Sequence, residues 1–489
     1  MAGEATVGID QSCVLQEPRH QAGPSLQRRV PNPALTYQLN QTLLSIDRRL
    51  ASLEFGAYVR AVDDASFELY PLLRSELGET QARLFLLKIS NLLVSKYECT
   101  FRHTAVISSP IGLLIDASNS CGLRCPGCVH SANKSVNNFD WPKGILSEAT
   151  FRKFIEQRGP FAFDVYFANY GEPLLNPLTP KLVEMSRRFL LPSYASSSLS
   201  IKRLDVDAVV RSGLNFLIMS IDGVSADVYQ RYRRRGNLEL VLENVRRLVD
   251  AKTRLNSYTP ILHWQFLVFE HNAHEIEAVK ELSRQLGVNQ LALAKPYRVD
   301  WDDSSIIVKE DWVSQTLTYD HDRRAYSSAM GKMLENLDTE VIARHFSQSW
   351  SDRLEEIGGE QVAANARQDP GGARCTWLYK CATMDSHGRV MPCARPPSST
   401  DNLVFSSHDD DRHFNSEKHR LARQFFADPS RYEAQIEGLP PQDIPWCSQC
   451  WHPNTKLDIS TEENVRQHLG NISLFNLLSE ECKNSLTNW

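Results

Sequence analysis

At 489 residues, 42% of them apolar, the chain has enough material for two or three domains around a substantial buried core. Its 54 basic and 59 acidic residues leave a formal charge of -5, with no Lys/Arg block interleaved with aromatics, so the electrostatic footprint of a nucleic-acid binder is missing. No apolar run reaches the length of a membrane span and MAGEATVGIDQSC has no basic region followed by an apolar core, so the expected location is the cytoplasm. Eleven cysteines in a reducing compartment are not a disulfide framework, which makes their spacing the informative feature.

Residues 1–32 are polar and carry Pro18, Gly23, Pro24 and Pro31 without a sustained period, as a disordered tail does. Over 33–105 the apolar residues recur at helical spacing, as in Leu84, Leu86, Leu87, Ile89, Leu92 and Leu93, which predicts a helical N-terminal domain. The alternating hairpin of a winged-helix module that would grip a leader peptide is not legible there. Residues 106–300 alternate short β-rich runs with amphipathic helices. The runs are Leu113–Ala117, Val165–Asn169, Tyr194–Ser198, Phe216–Ile221, His263–Phe269 and Gln290–Ala294. Ser147 is the expected N-cap of the helix through Phe151–Ile155. Six strand–helix repeats predict the α/β class, as a partial (β/α)6 parallel barrel with its site at the C-terminal strand ends. Residues 301–370 read as a charged helical bridge, 371–455 as a small cysteine-rich C-terminal domain organised around a metal, and 456–489 as a helical tail.

Cys121, Cys125 and Cys128 stand in NSCGLRCPGCVHS, in one loop after the first predicted strand. Soft thiolates at this spacing hold zinc or an iron–sulfur cluster, and a zinc site would take His130 as its fourth ligand. The Cys-x3-Cys-x2-Cys pattern after strand one of six α/β repeats resembles the cluster loop of the radical S-adenosylmethionine superfamily, over roughly residues 110–300. That resemblance implies a [4Fe–4S] cluster with three cysteine ligands and one iron left for S-adenosylmethionine. Reductive cleavage of the cofactor to a 5'-deoxyadenosyl radical, and attack on a substrate C–H bond, would follow. Gly127 departs from the family pattern, which usually has an aromatic residue before the last cysteine.

Further motifs match the same family. Gly171, Glu172 and Pro173 follow the second strand and resemble the turn that meets the cofactor's amino group, where glycine permits a close backbone approach. Ser220 closes the fourth strand and Arg233 follows in DVYQRYRRRG, which resembles the stretch that approaches the cofactor carboxylate; a guanidinium suits a carboxylate bidentately. Ser198 is a candidate ribose contact, and Arg231, Arg234 and Arg235 read as a solvated helix end. Gln265 and Asn272 also match, with Asn272 readable as a plain helix cap.

The stretch CTWLYKCATMDSHGRVMPC followed later by CSQC resembles the SPASM or twitch auxiliary-cluster domain. Cys375, Cys393, Cys447 and Cys450 supply four thiolates for an auxiliary [4Fe–4S] cluster, or for a zinc ribbon. Cys381 is surplus to that set, and Cys13, Cys99 and Cys482 read as plain thiols. The resemblance implies a substrate that is either a ribosomally made peptide or a small sugar or aminocyclitol; the helical N-terminus and the non-basic charge point to the sugar-like class, oxidised with the auxiliary cluster as electron acceptor, and the electron donor expected is one such as flavodoxin or ferredoxin. The alternatives are a maturase that oxidises or cross-links a ribosomally made peptide and, in another class, a non-catalytic scaffold with structural zinc.

Overall fold

The computed structural model describes residues 51–131, 142–296, 303–319, 336–359, 375–394, 404–410, 414–445 and Cys447, with scattered positions between 38 and 50. The expected tail at 1–32, the helical tail at 456–489, Cys13, Cys450 and Cys482 lie outside the described residues.

Six parallel strands form the centre of the chain, in sequence order: β1 (Gly112–Ile115), β2 (Asp164–Phe167), β3 (Ser193–Ser197), β4 (Phe216–Ser220), β5 (Ile261–Leu267) and β6 (Gln290–Ala294). All six fall on the expected runs. Helices separate them, including Glu148–Arg158, Thr179–Arg187, Leu238–Arg254 and Ile276–Leu286. The Ser147 hydroxyl accepts from Thr150 N at the start of the first of these, as its N-cap position requires. Side chains alternate across each strand. Leu113, Ile115, Val165, Phe167, Leu217, Met219, Trp264 and Leu291 take one face and enter the main core with Phe151, Phe154, Leu182, Val241 and Val245 of the helices. The other face carries Leu114, Tyr166, Tyr194, Phe216 and Ile218, packed in separate clusters that form the inner wall of a partial barrel.

Two pairings extend the sheet beyond the six expected strands. Within 301–370, read as a mostly helical bridge, β7 (Gln315–Thr318) pairs antiparallel with β6, because Leu317 can reach the same core as Leu291. The described part of the cysteine-rich segment joins the same sheet. Its strand β8 (Cys381–Met384) pairs in parallel with β1, with Gly112 opposite Cys381 and Ile115 opposite Met384. Strands β9 (Arg389–Met391) and β10 (Ser406–Ser407) then extend the sheet antiparallel, giving the order β10-β9-β8-β1-β2-β3-β4-β5-β6-β7.

The N-terminal helices Phe55–Leu77 and Glu79–Thr100 are part of the same core, and no helix among the described residues is long and apolar enough to cross a membrane. Buried polar groups tie the helices down. Asn91 donates to the carbonyls of Ser109 and Phe161 and accepts from Ser109 N. Fully buried Arg423, on the helix Glu417–Ala427, donates to the carbonyls of Leu378 (2.8 Å), Phe414 (3.0 Å) and Thr104 (3.3 Å). One guanidinium thus joins the N-terminal region to two stretches of the cysteine-rich segment. Removing it leaves buried carbonyls without donors. Arg423→Met is therefore expected to lower unfolding stability by about 3 kcal/mol, read as a fall in the denaturant midpoint. An unchanged midpoint would show that the network contributes nothing.

Candidate functional site

β1 delivers Asp116 and then the loop that holds Cys121, Cys125 and Cys128. Cys125 is buried, and the other two are partly exposed. Leu123, Tyr232, Phe269, Ile306 and Val308 form the apolar pocket around the three thiols. Burial pushes the Cys121 thiol up to about 12 and Cys125 to about 11, and raises Cys128. Thiols in such surroundings keep their protons until a metal displaces them. Among the described residues no three His, Cys, Asp or Glu side chains are gathered for a single metal ion.

His130 is not placed as a zinc ligand. Its Nε2 lies 2.5 Å from the Tyr170 carbonyl and its Nδ1 3.4 Å from Lys143 Nζ. Burial drops its pKa to about 4, so the ring is neutral, donates from Nε2 and accepts at Nδ1. Both nitrogens are committed to protein partners. Gly127 has φ +73°, a left-handed conformation that an aromatic residue would adopt only under strain. The local backbone thus accounts for the departure from the family pattern.

The Gly171-Glu172-Pro173 turn at the end of β2 lies directly on this loop. Glu172 N donates to Ser120 O at 2.8 Å. A Cβ on Gly171 would come within 2.0 Å of Ser118 O and 2.7 Å of Ser120 N, so only glycine permits the approach. Glu172 is buried, and its Oε2 accepts from both Ser198 N and Ser198 Oγ at 2.8 Å, which fastens the turn to the end of β3. Pro173 opens a short 3-10 turn and is buried. Ser198 and Glu172, singled out separately, are therefore partners. Ser220 is buried at the end of β4, with its hydroxyl 3.4 Å from that of Ser196.

Arg233 ends the helix Ala226–Tyr232. Its guanidinium pairs with fully buried Asp222, and its Nη1 lies 3.9 Å from Cys125 Sγ. Asp222 is fixed in turn: its Oδ1 accepts from Leu267 N at 2.6 Å, and Asn272 donates to its carbonyl at 3.1 Å. Asn272 stands at the N-cap position of the 3-10 turn Ala273–Glu275, but its side chain makes no capping bond. It accepts from Phe269 N and donates to Leu267 O, holding the turn after β5. Gln265 pairs with Ser220 across β5 and β4. Arg234 is paired with Asp303, so it too is more than a solvated helix end.

Sequence reasoning missed Asp116. It is almost fully buried; its Oδ1 accepts from Tyr170 N at 3.3 Å, and its Oδ2 has no hydrogen-bond partner among the described residues. Burial, helped by nearby Asp385, pushes its pKa to about 8, so it holds its proton at neutral pH. An acidic residue ending an apolar strand was the available signal. On the other side of Tyr170 stands the second thiol set. Tyr170 packs with Met391, Val129 and Cys393, and so joins the two cysteine regions. Cys375, Cys381 and Cys393 all lie against one apolar patch, and Cys375 also packs against the main core in which Cys447 is buried.

The Gly171 contact gives a test with an internal control. Gly171→Ala is expected to displace the 118–121 loop and reduce the iron retained per chain after anaerobic reconstitution at least several-fold. Gly122→Ala, whose Cβ would meet nothing within 4 Å, should retain wild-type iron. Equal retention in both variants would show that the close approach does not position the thiols.

No family model matches the chain. It is 24% identical over 295 residues to the PqqA peptide cyclase of Methylorubrum populi, covering 59% of this chain and 67% of that one. To the PqqA peptide cyclase of Gluconobacter oxydans it is 25% identical over 196 residues, covering 40% of this chain and 51% of the relative, so it spans about half of that protein's length. Among solved structures it is similar to Streptococcus suis SuiB bound to S-adenosylmethionine, with TM-score 0.43 and 11% identity over 77% of this chain and 80% of that chain. Three loop cysteines after the first strand, the Gly-Glu-Pro turn after the second, the serine and arginine around the fourth and the curated relatives together mark this chain as an enzyme similar to those of the radical S-adenosylmethionine superfamily.

Proposed function

We propose that the chain modifies a peptide, with Cys121, Cys125 and Cys128 holding a [4Fe–4S] cluster whose remaining iron takes S-adenosylmethionine. The observation that carries this reading is the contact of Gly171 with residues 118–120, which sets a cofactor-type turn directly on the thiol loop. The donor set suits the group: three soft thiols in an apolar pocket, with a fixed cation beside one of them. When bound, the cluster and cofactor supply reductive cleavage to a 5'-deoxyadenosyl radical that removes hydrogen from a substrate.

The chain's own residues bind and orient. Gly171, Glu172 and Pro173 offer backbone to an ammonium, and the Glu172–Ser198 bonds keep that backbone in place. Arg233, held by Asp222 next to Cys125, is positioned for a carboxylate. Ser198 and Ser220 stand at the strand ends for the nucleoside. On the inner wall Tyr166, Tyr194, Phe216 and His263 form an aromatic row, with successive centroids 6.2, 6.0 and 5.2 Å apart. Burial pushes His263 down to about 4, so this row is uncharged near neutral pH.

The peptide cyclases among the relatives support the same choice, and favour the maturase reading over the sugar-like substrate expected from the helical N-terminus. Cys375, Cys393, Cys447 and Cys450 are the sequence-derived candidates for an auxiliary [4Fe–4S] cluster that takes an electron from the substrate. A flavodoxin or ferredoxin in the cytoplasm is the proposed reductant.

Cys125→Ala is expected to abolish 5'-deoxyadenosine formation from S-adenosylmethionine and dithionite; continued formation would overturn the assignment. With a peptide encoded beside the gene, the wild-type enzyme should give a product that has lost a pair of hydrogens. Conversion of a sugar or aminocyclitol but of no such peptide would restore the other substrate class. A folded Cys375→Ala/Cys393→Ala variant should still form 5'-deoxyadenosine and accept deuterium from labelled substrate, yet give little oxidised product. Normal product yield would exclude the acceptor role.

A further inference from the structure

We infer that the basic rim beside the first thiol loop, made by Arg231 and Arg235 with Lys202 and Arg203, docks an acidic electron-carrier protein that delivers its electron to this site. The inference rests on the proposal that Cys121, Cys125 and Cys128 hold a redox cluster. It goes further by placing the reductant on the molecule.

Backbone joins the arginine run to the thiol loop. Arg124 N donates to Arg234 O at 3.0 Å, and Arg124 Nη1 donates to the carbonyls of Cys121 (2.9 Å) and Leu123 (2.6 Å). Tyr232 is buried in the apolar pocket around the thiols, and Arg233 reaches Cys125. Arg231 and Arg235, on either side of that stretch, are exposed. Lys202 and Arg203 are exposed too, and are tied to the same turn through Ser200, whose hydroxyl accepts from Asn237 N at 3.3 Å. On the loop itself Gly122 is exposed, and a Cβ there would meet nothing within 4 Å among the described residues. The backbone next to Cys121 is therefore open to a partner.

The sign of the unmatched charge selects the partner. Carboxylates next to the thiol pocket are already paired, Asp303 with Arg234, and Glu270 and Asp311 with Lys309. Asp205 and Glu239 each serve the first turn of a helix, where the helix dipole favours a negative charge. Arg231, Arg235, Lys202 and Arg203 have no ion-pair partner among the described residues, so the charge left over on this rim is positive. The chain as a whole carries -5, which repels an acidic protein on balance; a local positive rim is what turns such a protein toward the thiol loop. Electron transfer weakens steeply with distance, so a carrier seated over the loop has the shortest path. In the transfer the carrier is oxidised by one electron and the cluster reduced by the same electron, and no bond is made or broken.

The test uses the full chain, reconstituted anaerobically, with a bacterial flavodoxin as the probe and binding read by isothermal titration calorimetry. Wild-type affinity should fall several-fold between about 50 and 250 mM salt, as contacts between opposite charges require. The triple variant Lys202→Glu, Arg231→Glu and Arg235→Glu should bind at least about tenfold more weakly. A variant with the same charge change on three other helices, Arg60→Glu, Lys153→Glu and Arg344→Glu, all at exposed positions, should stay within about twofold of wild type. With dithionite, which needs no docking site, the first triple variant should form 5'-deoxyadenosine at the wild-type rate; with limiting reduced flavodoxin its rate should fall in step with its affinity. Absent or salt-insensitive wild-type binding, full affinity in the first triple variant, or equal loss in both variants would overturn docking at this rim. A triple variant that keeps flavodoxin but loses the peptide encoded beside the gene would assign the rim to substrate and overturn it as well. Failure of the wild type to form 5'-deoxyadenosine with dithionite would instead overturn the cluster reading, and the docking site with it.

Discussion

The site depends on the approach of one backbone to another. The loop after β1 and the turn after β2 meet without an intervening side chain at Gly171, and a single hydrogen bond from Glu172 N to Ser120 O fixes their register. A thiol loop has no regular structure of its own and would otherwise lose its geometry to conformational entropy. Here it is held from below by the turn, from one side by the Arg233–Asp222 pair, and from the other by His130, which reaches back to the Tyr170 carbonyl. Two of these restraints come from the end of β2 and one from the end of β4, so the parallel sheet is what makes them converge.

The inner wall of the sheet links the two cysteine regions. Leu114 of β1 packs with Trp377 and Ala394, while Tyr170, just before the cofactor-type turn, packs with Met391 and Cys393. Asp116 and Asp385 end the adjacent parallel strands β1 and β8; Asp385 is neutralised by Arg389 at 2.6 Å, whereas Asp116 keeps its proton. The first thiol loop and the second thiol patch are therefore two parts of one sheet, carried on neighbouring strands.

The local part of this architecture was legible. All six barrel strands fall on apolar runs, and Ser147 caps where a serine before a helical period should. What escaped depends on partners far apart in sequence. Nothing in CATM announces a parallel strand beside β1, and nothing in QTLT marks an edge strand, because short polar-flanked runs acquire their role only from the neighbour they pair with. Arg423 and Asn91 read as ordinary polar helix residues until the carbonyls they satisfy are known.

The parallel pairing of β8 with β1 also bears on how the protein is made. Gly112 finds its partner Cys381 only after most of the chain has left the ribosome, and parallel strands of such separation pair slowly. Until then β1 presents an open apolar edge, the kind of surface that recruits strands from other molecules. The helices Phe55–Leu77 and Glu79–Thr100 emerge before that edge and share its core, so they are available to shelter one face of it during synthesis. Expression yield of this enzyme is accordingly tied to the slow arrival of its last sheet segment, and a chain cut short before residue 381 would carry the exposed edge permanently.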